Sequence, residues 1–300
     1  MSPATGCSSR ESPMSMTRRI SFLSFLTLIF LSASGAIANS LSCKQVFTKN
    51  FKVSEFIIQV GGKKESANFL ASAHENLIST FQLSNLLAVL KRIKFEGVDN
   101  LTADERKLII KFRQNSSLLR SIFQTTEESH QSPKEFAHFV RDFGVLKDYL
   151  LMGDNEAASE AANKILSNYK NIDLDSLLED FKPASKKSVA KYFAGILKDT
   201  KEIMAKETVS YDEIHDVRKN LRDVLRYMQI SNEVSSGKEM QESAQVEFLK
   251  KINEKLGEIC DENAAKILRA EISENSPTIF PEKIRPRVEY FLDHFRIQVN

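Results

Sequence analysis

Two stretches decide the fold: SKKSVAKYFAGILKDTKEIMAK from Ser185 to Lys206, and DEIHDVRKNLRDVLRYMQI from Asp212 to Ile230. At about 100° of turn per residue, Val189, Phe193, Ile196, Leu197, Ile203 and Met204 fall on one face of the first. Lys187, Lys191, Lys198 and Lys201 share the opposite face. The second stretch repeats the design, with Ile214, Val217, Leu221, Val224, Leu225 and Met228 as its apolar stripe. On its far side His215, Arg218, Lys219, Arg222 and Arg226 lie within an arc of about 100°, with Asp216 and Asp223 beside that arc. Both stretches predict amphipathic helices.

The same spacing extends over most of the chain. Ten glycines and seven prolines in 300 residues leave few interruptions. Breaks are predicted near Gly61-Gly62, Gly97 to Asn100, Ser129 to Pro133, Gly153 to Asn155, Lys182-Pro183, Ser231 to Gly237 and Ser273 to Pro281. No segment reads as a strand. The expected fold class is all-α, an antiparallel bundle of long helices.

The N-terminus reads as an export signal. Arg18-Arg19 precede an uncharged apolar run from Phe22 to Leu31, then small residues and Ala36-Ile37-Ala38. A membrane anchor is the competing reading, since Ile20 to Ala38 carries no charge over nearly the ~20 residues that span a bilayer. The serines, Gly35 and the A-x-A pattern favour cleavage after Ala38, hence a periplasmic or secreted protein without stable membrane insertion. The fifteen polar residues before Met16 leave Met1 and Met16 both open as starts.

Cleavage would remove Arg10, Arg18, Arg19 and Glu11, leaving 39 basic and 39 acidic residues of the original 42 and 40. That balance does not predict nucleic-acid binding; any polyanion site must come from local clustering. Such clustering exists between Lys182 and Lys206, where seven lysines face only Asp199 and Glu202. Cys43 and Cys260 would remain as a pair or as two thiols.

The motif Ile214-His215-Asp216-Val217-Arg218-Lys219-Asn220-Leu221-Arg222 resembles the signature of the CHAD family, α-helical domains named for a histidine. Leu256-Gly257-Glu258-Ile259-Cys260-Asp261 resembles the family's L-G-x-x-x-D helix, and Phe143-Gly144-Val145-Leu146-Lys147-Asp148 resembles its partner in a first half. His215 precedes Gly257 by 42 residues and Ala103 precedes Gly144 by 41. The first copy thus offers Arg106, Lys107, Lys111 and Arg113, with Ala103 in place of the histidine and Ile110 in place of Arg222.

The resemblance implies two related helical-bundle repeats, at 65–182 and 183–300, after a segment at 39–64. It also implies binding of inorganic polyphosphate or another linear polyanion, with no cofactor and no catalysis. The residues implied are His215, Arg218, Lys219, Arg222, Arg226, Lys187, Lys191, Lys198, Lys201, Arg106, Lys107, Lys111 and Arg113. As an exposed stripe, such charges would contribute little to folding. An exported helical scaffold that docks a protein partner is the alternative.

An enzyme is not indicated: H-E-x-x-H, G-x-S-x-G and a phosphate-cradling glycine loop are absent. Ser188-Val189-Ala190-Lys191 fits S-x-x-K, but no K-T-G follows it, and Ser188 reads as a first-turn helix residue. His74, His130, His138 and His294 lack neighbours at metal-ligand spacing, so no metal is expected. N-terminal sequencing of the exported protein should return Asn39 as the first residue; retention of residues 20–38 would instead establish the anchor.

Overall fold

Turn chemistry at the glycine and serine breaks sets the element order. A computed structural model describes residues 55–80, 82–169, 172–236 and 243–299; the signal segment and Cys43 lie outside them. After β1 (Phe56–Gln59), the chain forms α1 (Lys63–Thr80), α2 (Leu83–Glu96), α3 (Ala103–Thr126), α4 (Lys134–Met152) and α5 (Asn155–Asn168). A 3-10 turn at Asp175–Leu178 leads to α6 (Lys186–Met204). Then follow β2 (Val209–Ser210), α7 (Tyr211–Ser236), α8 (Ala244–Leu268), β3 (Pro277–Thr278), α9 (Arg285–His294) and β4 (Phe295–Gln298).

The helix ends are made as their residues dictate. Thr102 and Glu105 form a capping box at the start of α3, satisfying two otherwise unpaired amide groups reciprocally. Asp154, Ser185 and Ser243 cap α5, α6 and α8 through their side-chain oxygens. Gly97 and Gly153 close α2 and α4 at positive φ, 78° and 69°, where a side chain would be strained.

The helices pack as an all-α bundle. α3 lies against α1, α4 and α7, and α7 in turn contacts α6, α8 and α1. α2 rests on α5, α5 on α4, and α4 approaches α8. Phe112, Phe139 and Phe143 form one aromatic nucleus, with ring centroids 4.8 to 5.7 Å apart. Phe69, Tyr227 and Phe193 form another, in edge contacts at 5.3 and 5.0 Å.

The strands correct the sequence reading. β1 pairs in parallel with β4, placing Phe56 beside Phe295, and β2 pairs antiparallel with β3. A four-residue strand gives only two inward positions, Phe56 and Ile58, too few for an alternating pattern to stand out. Residues 56–60 therefore join the chain's C-terminal strand, and Phe56 packs on Phe248 and Phe291.

Behind β1 the chain turns sharply into α1. The amide of Gly61 donates to the phenolic oxygen of Tyr227 at 2.8 Å, in the interior. A Cβ on Gly61 would stand 2.5 Å from the Cβ of Glu65, so no larger residue fits this turn. Burial pushes the Tyr227 hydroxyl up to about 12. Tyr227→Phe keeps both ring contacts but strands the Gly61 amide, which should cost about 1 to 3 kcal/mol in urea unfolding. An unchanged midpoint would mean that the amide finds another acceptor.

Candidate functional site

On α3, Arg106, Arg113 and Arg120 recur every seven residues and share a face. On α7 the stripe from His215 to Arg226 occupies the face opposite the apolar seam. Because α3 packs against α7, the two rows meet. The hydroxyl of Ser121 donates to Asp223, and Arg226 Nη1 donates to the Ser117 carbonyl and, at 3.0 Å, to the Ser117 hydroxyl. These contacts advance in opposite directions along the two helices, which therefore run antiparallel where they touch.

Five guanidinium groups gather at this contact: Arg113 and Arg120 from α3, and Arg218, Arg222 and Arg226 from α7. Burial lowers Arg113 to about 10, and the positive charges of Arg222, Arg120 and Arg218 add to the shift. Arg222 is lowered first by burial and then by Arg218 and Arg120. Arg226 is lowered furthest, by burial and then by Arg222, with Arg113 and Arg218 adding to it. Arg113, Arg222 and Arg226 are thus held in a field of like charge, in surroundings that disfavour ionisation.

Protein acceptors compensate only in part. The Nε atoms of Arg113, Arg120 and Arg222 are sealed from solvent without a hydrogen-bond partner. Nearby carboxylates offset the charge only in part, Asp148 opposing the lowering of Arg113. Lys147 sits 3.2 Å from Asp148 and 3.6 Å from Asp261. Asp223, 1 % exposed, accepts from Ser121 and, at 3.0 Å, from Tyr192. It opposes the lowering of Arg222 and Arg226, and burial together with Asp223 pushes the Tyr192 hydroxyl well up.

Two glycines make room for the cluster. A Cβ on Gly144 of α4 would lie 3.2 Å from Arg113 Nε, and one on Gly257 of α8 would lie 3.1 Å from Arg218 Nη2. Absence of a side chain lets each guanidinium lie against helical backbone. One turn beyond Gly257, the buried thiol of Cys260 is raised by desolvation and hydrogen-bonded to Arg218. His215 lies at the rim and is exposed, yet its pKa is lowered by partial burial, then by Arg222 and Arg218, against Asp216 and Asp212.

The remaining cations expected from sequence stand apart. Arg106 donates to the Val98 carbonyl and ties the start of α3 to its preceding loop. Lys107, 79 % exposed, lies 3.7 Å from Asp104, and Lys111 is exposed. Lys187, Lys191, Lys198 and Lys201 are exposed on α6, whose other face buries Val189, Phe193, Leu197 and Met204; Lys198 reaches Glu202 at 3.6 Å. Lys219 is half-buried at the edge of the α7 stripe. Arg120 joins the cluster although it lies outside the family-like motif; the seven-residue step from Arg113 is its signal in the sequence.

The arrangement also corrects the expected stripe. It is half-buried between helices rather than laid on a surface, so its charges bear on stability. Among the described residues no group of three His, Cys, Asp or Glu could hold a metal ion, and no helix is long and apolar enough to cross a membrane. No family model, curated protein or solved structure matches the chain.

A base whose pKa is lowered on folding opposes folding while it stays charged. Arg222→Met removes a buried guanidinium whose Nε lacks an acceptor and keeps most of its aliphatic packing. In phosphate-free buffer at low ionic strength this variant should be more stable by roughly 1 to 3 kcal/mol in urea unfolding. A loss of stability would show that Arg222 has a protein acceptor after all.

Proposed function

We propose that this chain is an exported, non-catalytic module of the CHAD type that binds a phosphate polyanion between α3 and α7. One observation carries the reading: five mutually repelling guanidinium groups share a contact where three Nε donors lack any acceptor. Stability alone would select against such a contact, whereas an oxyanion beside the guanidinium groups would offset their repulsion. Arginine suits this role because its planar fork presents fixed donors to phosphate oxygens.

The glycine seats support the family reading. Each L-G-x-x-x-D-like segment supplies a glycine against which an arginine of an earlier helix lies, Arg113 on Gly144 and Arg218 on Gly257. The two arginines are not partners in the alignment that pairs Arg106 with Arg218, so the repeat is proposed at the level of helix order rather than residue for residue. The export segment makes the periplasm or the exterior the proposed location. A net-neutral mature chain agrees with a confined site and gives no support for nucleic acid as the partner.

Titration calorimetry with polyphosphate at physiological salt tests the reading. Arg218→Gln with Arg222→Gln should weaken binding at least tenfold, since charge-assisted contacts contribute about 1.5 to 3 kcal/mol each. Lys63→Gln with Lys64→Gln, on exposed positions at the start of α1, should change it by less than twofold. Equal losses from the two pairs would reduce the attraction to nonspecific charge.

A further inference from the structure

The two faces of α6 meet unlike surroundings. Val189, Phe193, Leu197, Thr200 and Met204 are buried, and the helix packs on α3, α7, α9 and β4. On the other side Lys187, Lys191, Ala194, Lys198 and Lys201 follow at steps of four, three, four and three residues, and all five are exposed. At about 100° per residue they fall within an arc of about 80°, and the lysine row runs about 21 Å along the helix.

Carboxylates are scarce along this row. Among the described residues only Lys198 of the four lysines has an ion pair, 3.6 Å from Glu202, and both partners are exposed. Asp199 falls outside the arc. Beside the row stands Gly195, exposed in mid-helix with nothing within 4 Å of where a Cβ would be. Glycine there weakens the helix relative to alanine, and no packing requires it. Its effect is to leave bare backbone beside Lys191 and Lys198.

What such a face can recognise follows from what it lacks. Protein interfaces are anchored by aromatic, methionine and arginine side chains in a desolvated centre, where lysine is depleted. This face offers four lysines, an alanine and a glycine. The surface of an anionic bilayer makes no such demand, because each lysine held near it adds attraction and no apolar anchor is needed. The export reading of Phe22 to Leu31 also brings the chain to a membrane.

We infer that the exposed lysine face of α6 is a peripheral docking surface for an anionic phospholipid bilayer, held by charge and without insertion. It is separate from the arginine cluster between α3 and α7 and does not depend on what that cluster binds. Because no side chain larger than alanine lies between the lysines, the adhesion is electrostatic and is reversed by salt.

Co-sedimentation of the mature chain with large vesicles tests this. Mixed phosphatidylglycerol–phosphatidylcholine vesicles should bind it at low ionic strength and release it in high salt, and pure phosphatidylcholine vesicles should not bind it. Lys191→Gln with Lys198→Gln should weaken binding at least tenfold, since each lysine near such a surface contributes roughly fivefold. Both side chains lie in solvent, so the circular dichroism of this variant should be unchanged. Arg218→Gln with Arg222→Gln, which tests the arginine cluster, should leave vesicle binding within twofold.

Equal binding to pure phosphatidylcholine, or a lysine variant that binds as the unaltered chain does, would overturn the proposal. Lysine-dependent self-association without lipid would overturn it by making a second copy the occupant. Tighter capture of an acidic helical peptide than of the vesicles would assign the face to a protein instead. Loss of vesicle binding in the arginine variant alone would move the contact to the cluster.

Discussion

The contact between α3 and α7 is an interface whose polar side carries more positive charge than its carboxylates match. Packing two amphipathic helices normally buries apolar surface and leaves charges in water. Here the rows that meet are arginines, and the Nε atoms of Arg113, Arg120 and Arg222 lose water without gaining an acceptor. Repulsion among five cations adds to that penalty. Such a contact persists only where surrounding structure holds it, and it is the arrangement expected where stability has been traded for binding.

What holds it is apolar and local. Phe112, one residue before Arg113, is fully buried among Phe139 and Phe143 of α4, so the α3 backbone is fixed where the guanidinium emerges. Tyr227, one residue after Arg226, is clamped between Phe69 and Phe193 and hydrogen-bonded to Gly61. Asp223 anchors the middle through Ser121 and Tyr192. Arginines on both helices thus alternate with anchors facing the core, and the cluster is positioned by rigid helices rather than by loops.

Much of the helical framework was legible because its signals are local. α6 and α7 were predicted from 185 to 206 and from 212 to 230, and they run from Lys186 to Met204 and from Tyr211 to Ser236. The breaks at Gly97 and Gly153 follow from positive φ. The break between α1 and α2 was missed because Thr80-Phe81-Gln82 contains neither glycine nor proline. The site was legible only on α7, where one helix carries a whole stripe. Which cations converge depends on what α3 meets, and periodicity within one helix does not encode that. Arg106, Arg113 and Arg120 share a spacing, yet Arg106 is taken by a loop carbonyl while the other two face α7. The α6 lysines gave the stronger compositional signal and lie on the solvent face, because their helix turns its apolar side inward.

The central claim is that a phosphate oxyanion balances the excess positive charge of this interface. A crystal structure of the mature chain grown with tripolyphosphate tests it most directly. Density for the anion between α3 and α7, with oxygens within hydrogen-bonding distance of the Arg113, Arg120 and Arg222 guanidinium groups, is the predicted result. Density confined to the α6 lysines, or an empty arginine cluster at saturating anion, would contradict the account.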